Sequence, residues 1–302
     1  MTGDKILVLG VSGMLGHKLF GFLAADDRFQ VSGSARTPAG WLKHFPFHIQ
    51  QKIHFNIEIE DVSSITGLIE RFRPDWVINC IGIVKPDTIN EGQLASIYGN
   101  AWFPHKLAQI CAKYGARLLH ISTDCVFSGL TGSYVETDTP DAADLYGRCK
   151  LLGEVDYPHC LTIRTSIIGH ELVSKRGLVE WFLAQSGPVL GYTHHIFTGF
   201  PTVELARIIA DYILIHPELE GIYHLSSHSI TKYELLKLVA VKYGKSIAIE
   251  PYDKTFCDRS LDSSRLRSLI HYDPPSWPEL MEAMHRDYIT YPYGNRLEEL
   301  SD

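Results

Sequence analysis

Tyr146 and Lys150 stand four residues apart in "LYGRCKLLGE" (145–154), a stretch that reads as a helix. Positions i and i+4 share a helix face, about 6 Å apart along the axis. A phenol and an ammonium therefore project into one space. Free tyrosine titrates near 10, too high for acid–base work at neutral pH. A cation about 5 Å away, at an effective dielectric of ~20, favours tyrosinate by about 3 kcal/mol, or about two pKa units. Such a pair would be an acid–base device. The same spacing also arises by chance on solvated helices, so its meaning depends on the surroundings.

Two further residues bear on that chemistry. Thr123 ends an apolar run in "HISTDCVFSG" (120–129), at the C-terminal end of a strand. There it can donate a hydrogen bond to a ligand oxygen, or simply make a strand-end turn. Asn100 lies four residues before Pro104. Proline leaves the carbonyl at i−4 unbonded, so a helix begun before Asn100 would free that oxygen to hold a water beside Lys150. A helix begun at Asn100 would make it only an N-cap.

A third feature lies at the start. "GVSGMLG" (10–16) follows the apolar run "KILVLG" and enters a helical pattern. Gly10, Gly13 and Gly16 suit a tight turn, a close backbone approach to a pyrophosphate, and close helix–strand packing. The spacing is G-x-x-G-x-x-G, and a purely structural turn is the plainer reading. The second strand ends in "SGSART", with no acid before Arg36. A guanidinium there suits a 2′-phosphate, which favours NADP(H) over NAD(H), unless Arg36 is only a solvated loop residue.

These residues need a scaffold. Strands are expected at 5–10, 30–35, 54–61, 75–82, 116–124 and 159–169. Helices are expected from Leu15 to Leu23, at 63–72, 101–115 and 145–154. The alternation predicts an α/β Rossmann-type, doubly wound parallel sheet. Beyond about residue 165 the pattern loosens into a helix at 202–214, a strand at 221–227 and a helix at 229–244 capped by Ser229 or Thr231. The stretch 273–288 reads as a proline-punctuated loop running into a last helix, and 293–302 read as a frayed tail. The expected division is a dinucleotide-binding domain, 1–165, probing also into about 190–225, with 166–302 mainly a smaller C-terminal α/β substrate lobe.

Bulk properties narrow the partners. The 302 residues carry a formal net charge of −7, with 45% apolar and 21% charged residues. An acidic chain without basic runs argues against nucleic acid. No apolar run approaches the ~18 residues of a membrane span, which points to no membrane partner. Six cysteines without C-x-x-C suit a reduced, cytoplasmic compartment. Among fifteen histidines, "THH" (193–195), His224 and His228 form the densest group, but no ligand set is completed, and no metal is expected.

The glycine turn, Asn100, Thr123, Tyr146 and Lys150, in this order, resemble the extended short-chain dehydrogenase/reductase family, and most of all its dTDP-4-dehydrorhamnose reductase branch. "GVSGMLGHKL", "HISTDCVFSG", "YGRCKLLGE" and "LTIRTSIIG" carry the resemblance, and "DRSLDSSRL" (258–266) is similar to a late element, "RP-x-x-S-x-L", with Ser260 in place of the proline. The resemblance implies that NADPH reduces a nucleotide-linked 4-keto-6-deoxysugar, with a homodimer compatible. It implies that Tyr146 protonates the alkoxide, Thr123 polarises the carbonyl, Lys150 lowers the phenol's pKa and binds ribose, and Asn100 supports proton relay. Cofactor contacts are expected from Gly10, Ser12, Gly13, Met14, Leu15, Gly16, Arg36, Asn56, Ile57, Cys80, Ile81, Gly82, Ser122, Tyr146 and Lys150. Substrate contacts are expected from Lys85, Thr123, Asp124, Cys125, His194 and His195. Glu171, Arg259 and Arg265 join them, although surface salt bridges would equally explain those three.

Two departures stand out. The branch commonly reads "STDYVFDG", where this chain has Cys125 and Ser128. "RTSIIG" is one residue shorter than "RTSWVYG" and lacks its aromatics. Two other readings compete. A dehydratase or epimerase would retain NAD, but those enzymes read "TDE", and this chain reads Thr123-Asp124-Cys125. A non-catalytic regulatory subunit of the same fold is the other.

Overall fold

A computed structural model describes residues 3–84, 91–172 and 175–291. The chain opens with β1 (Asp4–Leu9), α1 (Met14–Ala24), β2 (Phe29–Ser34), a one-turn α2 (Phe47–Gln50), β3 (Ile53–His54), α3 (Val62–Phe72) and β4 (Trp76–Asn79). A long helix follows in three parts: α4 (Glu91–Ser96), a π-helical turn (Ile97–Trp102) and α5 (Phe103–Tyr114). Next come β5 (Arg117–Thr123), α6 (Leu145–Leu152), β6 (Cys160–Thr165), β7 (Ile167–Ile168) and α7 (Leu178–Leu183). The remainder is β8 (Val189–Tyr192), β9 (His195–Phe197), β10 (Phe200–Pro201), α8 (Thr202–Ile208), β11 (Gly221–His224), β12 (Ile230–Thr231), α9 (Lys232–Lys242), β13 (Ile249–Tyr252), β14 (Cys257–Asp258), α10 (Ser264–Ile270) and α11 (Trp277–Thr290).

Among the described residues, the main sheet has seven strands in the order β11-β6-β5-β4-β1-β2-β3, and every neighbouring pair is parallel. This is the doubly wound fold that the alternation predicts. The order reverses between β1 and β4, so a crevice opens at their C-terminal ends. Alternation within β1 divides the core. Ile6 and Val8 face a cluster with Leu19, Leu205 and Ile163, while Leu7 and Leu9 face Ile65, Leu107 and Leu118. The first cluster continues without interruption to Leu235 of α9 and Leu280 of α11. That continuity explains why composition shows no break near residue 165.

Several elements differ from their sequence expectations. The strand expected at 54–61 is only Ile53–His54. Asn56 turns to a left-handed φ of 59°, which ends pairing, and Asp61 caps α3 by accepting from Ser63 N at 3.0 Å. The strand expected at 159–169 splits, because β7 leaves the main sheet to pair with β10. The strand expected at 221–227 stops at His224. Thr231 caps α9 in a capping box with Glu234, and Ser276 does the same for α11 with Glu279. The C-terminal part holds short strands with no sequence signal: β12-β9-β14 form one small sheet and β13-β8 another. The tail 293–302 lies outside the described residues. No described helix is long and apolar enough to cross a membrane.

Candidate functional site

The glycine turn is built almost entirely from backbone. Gly10 has φ +83°, a left-handed conformation, and its N–H and that of Val11 both donate to Ser34 O of β2, at 3.1 and 3.0 Å. A side chain at Gly16 would run into the Gly10 carbonyl, so glycine lets α1 sit down on the turn. At Gly13, by contrast, an added Cβ would meet nothing closer than Gly10 O at 3.4 Å. Gly13 N-caps α1 without a side chain to bond the first turn, so those N–H groups face outward. Ser12 is exposed, and the Leu15 side chain is buried in the core, so Leu15 can offer a ligand only its backbone. This arrangement suits a phosphate group, and the fit rests on the cradle a Cβ would fill.

The two flanking strand ends line the same crevice. Arg36 follows β2 with its side chain exposed, and its carbonyl accepts from Asn56 N at 2.8 Å. Ile57 N donates to Ala35 O at 3.3 Å, and the Ile57 side chain is buried. After β4, Cys80 N donates to Leu9 O at 3.2 Å, Ile81 lies against Gly10, and Gly82 stands near the Asn100 amide.

The acid–base residues gather where β5 meets α6. Asp144 caps α6, accepting from Gly147 N at 3.0 Å. A Cβ at Gly147 would strike the Cys125 carbonyl, and one at Gly153 would strike the Asn100 carbonyl. These glycines let α6 press onto the end of β5 and onto the π-turn. Tyr146 is half-buried there, beside the Thr123 side chain. Thr123 Oγ1 accepts from Cys125 N and donates to Asp124 Oδ1, each at 3.1 Å. Burial raises the Asp124 carboxyl above its usual range, against hydrogen bonds from Cys125 and Thr123, and pushes the Cys125 thiol up to about 12.

Here one sequence expectation is corrected. The Tyr146 phenol is raised rather than lowered. Burial, then the Cys125, Asp124 and Asp144 charges, push it above its ordinary value, against the Thr123 side chain. Lys150 is turned beneath the helix, and its Nζ donates to Ile121 O at 2.7 Å. Shared helix spacing put both groups on one face but could not specify where a four-carbon stem ends. Tyr146 is therefore a protonated phenol, poised to give a proton rather than take one.

Asn100 is also decided. The helix begins at Glu91, well before it, so Asn100 is no N-cap. Its fully buried side chain clasps Ile83, accepting from Ile83 N at 2.9 Å and donating to Ile83 O at 2.8 Å. Its carbonyl abuts Gly153 at the end of the lysine helix.

Ser122 faces away from the crevice floor and donates to Glu154 Oε1 at 2.7 Å. Glu154 forms a two-point pair with buried Arg164, at 2.8 and 2.7 Å, whose Nη1 lies 3.3 Å from His224 Nε2. This network underpins α6 and the loop after β5. That loop is clamped by the segment 258–261. Arg259 Nε donates to Phe127 O at 2.9 Å, and its Nη1 reaches Cys125 Sγ at 3.6 Å. Ser260, in the expected proline's place, accepts from Ser133 N at 2.7 Å through its hydroxyl. Ser128 borrows a carboxylate, bonding both oxygens of Asp141.

The remaining predicted residues divide. His195 stacks on Tyr192 at 4.4 Å, lies 3.0 Å from the Thr255 hydroxyl and feels the charges of Lys232 and Arg259, which puts it near the crevice. His194 is exposed and contributes its carbonyl to Cys257 N. Two candidates are engaged in local bonds. Glu171 accepts from Arg176 N and Gly177 N, both at 2.8 Å, and so shapes the turn into α7; Gly177 touches Met14. Arg265 lies over the Tyr223 ring at 4.2 Å and donates to Ile222 O, on the outer strand β11. Lys85 lies outside the described residues. Asn79 and His120, both fully buried beneath Lys150, had no place in the sequence reading. Their signal was polarity inside strands that should be uniformly apolar.

With this geometry in place, comparison supplies the family. The family model of the RmlD substrate binding domain matches residues 4–287. The chain belongs to that family. A dTDP-4-dehydrorhamnose reductase of Bacillus anthracis, solved in complex with NADP, superposes with a TM-score of 0.76 at 20% identity, covering 94% of this chain and 99% of that one. The two chains therefore share a fold. Methionine adenosyltransferase 2 subunit beta of Danio rerio is 27% identical over 250 residues, 78% of this chain and 73% of that protein. The dTDP-4-dehydrorhamnose reductase of Mycobacterium tuberculosis (strain CDC 1551 / Oshkosh) is 29% identical over 172 residues, 54% of this chain and 50% of that protein.

Proposed function

We propose that this member of the family is an NADPH-dependent reductase of a nucleotide-linked 4-keto-6-deoxysugar. The observation that carries this reading is the Tyr146 phenol, its pKa raised by burial, beside Thr123 at the C-terminal end of β5. Residues 1–165, with about 190–225, would hold the dinucleotide, and 166–302 mainly the sugar nucleotide. The bound nicotinamide supplies the hydride. Thr123 orients the keto oxygen, and Tyr146 gives its proton to that oxygen as charge develops there. Lys150 approaches the ribose, and Gly10, Gly13 and the start of α1 hold the pyrophosphate. The exposed guanidinium of Arg36 after β2 supports NADPH over NADH. Asp124, Cys125, Arg259 and His195 line the sugar side.

A second reading is favoured by the methionine adenosyltransferase subunits among the relatives: a non-catalytic subunit of the same fold. One experiment separates the two. NADPH absorbance is followed with dTDP-, UDP- and GDP-linked 4-keto sugars. Consumption with one of them supports the reductase. Tight NADPH binding with no consumption from any of the three supports the subunit.

A further inference from the structure

The hydrogen bonds under Lys150 have a fixed polarity. Ile81 N donates to Asn79 Oδ1 at 3.1 Å. That backbone N–H can only donate, so it settles which end of the amide is oxygen. Asn79 Nδ2 must then point at His120 Nδ1, 3.1 Å away, and donate to it. With Nδ1 accepting, a neutral His120 carries its proton on Nε2. His120 is fully buried, and burial, then the charges of Lys150 and His105, hold it well below its usual pKa, so it is neutral. Its Nε2 lies 3.4 Å from Lys150 Nζ. An ammonium has no lone pair for that N–H; an amine has one, and still has a hydrogen to donate to Ile121 O.

We propose that Asn79 and His120 are a positioning pair that presents an N–H to Lys150 and so favours its neutral amine form while its Nζ rests on Ile121 O. It takes one proton from solvent when it turns off the pair toward a bound dinucleotide. The other groups facing Lys150 act both ways. Burial, opposed by Glu154 just past the end of α6 and by Cys80 after β4, leaves it lowered to about 8. Tyr146, one turn before it, is a neutral phenol. The N–H of His120 works in the same direction as burial. A lysine charged only when it meets a ligand would couple dinucleotide binding to pH.

The role of this coupling rests on the reductase reading, but its test does not. In nucleotide-free protein, ¹⁵N correlation spectra of the histidine rings are expected to show His120 as the Nε2–H tautomer. Lysine side-chain spectra, with Lys150 assigned by its loss in Lys150→Arg, should show it titrating about two or more units below free lysine. NADPH binding, measured by calorimetry in buffers of different ionisation enthalpy above the Lys150 midpoint, should take up close to one proton. In Asn79→Asp the carboxylate accepts from His120 Nδ1–H and reverses the polarity. The Lys150 midpoint should then rise by about one unit or more, and proton uptake should fall. An Nδ1–H tautomer or an imidazolium at His120, or a Lys150 still charged at pH 9.5, would overturn the proposal even in an active reductase. A correct tautomer and midpoint without NADPH consumption would leave the pair standing and remove the reductase.

Discussion

The two halves of the crevice solve the same problem by opposite means. At the β1–α1 turn, the proposed anion contacts are main-chain N–H groups, and the side chains that matter are the ones missing at Gly10, Gly13 and Gly16. At the β5–α6 junction the backbone is ordinary strand and helix, and the chemistry depends on side chains held by other buried side chains: Thr123 against Tyr146, Ser122 against Glu154, His120 against Lys150. A backbone site tolerates almost any sequence that leaves room. A side-chain site depends on every partner being satisfied, because an unpaired polar group inside costs more than a made bond contributes.

The largest effect should come from breaking that side-chain support. Glu154→Leu leaves Arg164 charged and unpaired in the interior, with exposures of 5% and 3% for the paired side chains. A loss of about 3–5 kcal/mol in urea unfolding is expected, with Glu154→Leu/Arg164→Met recovering much of it. No recovery in the double variant would mean the pair holds α6 by shape rather than by charge. Next, Gly16→Ala and Gly153→Ala each put a methyl group against a carbonyl oxygen, costing about 1–3 kcal/mol by the same assay. They should part company in function: Gly16→Ala weakens NADPH binding strongly, while Gly153→Ala spares it and shifts the lysine helix. Equal effects on NADPH affinity would erase the distinction between the halves. The smallest effect belongs to Arg36→Asp. It should cost about tenfold in NADPH affinity and leave NADH binding little changed, read by fluorescence titration. Equal loss for both nucleotides would remove the 2′-phosphate contact.

The two halves were unequally legible in the sequence. The glycine turn could be read because only glycine satisfies a positive φ at residue 10 and a contact with a carbonyl at residue 16. Tyr146 and Thr123 were singled out by the spacing to Lys150, the strand-end position and the resemblance, since either type alone also occurs in plain turns and helices. The direction of Lys150 could not, since helical periodicity gives a face and says nothing of which buried carbonyl a long side chain will reach. Asn79 and His120 were passed over although they are polar residues inside apolar strands, because their partner Lys150 lies on a helix distant in sequence. Glu171 and Arg265 were chosen for charge alone, and the fold spends both on local turns and edges. The two- to four-residue strands from 189 to 258 escaped because they are shorter than any period that defines a strand, and their pairing is decided by the packing of α9 and α11.

One comparison tests the central claim, that a protonated phenol at the end of β5 completes the reduction. NADPH consumption is measured for the unmodified protein and Tyr146→Phe with the same keto-sugar nucleotide, alongside NADPH affinity for each. The expected result is a fall in turnover of about 10²–10⁴-fold with affinity nearly unchanged. Comparable turnover in the two proteins would contradict it.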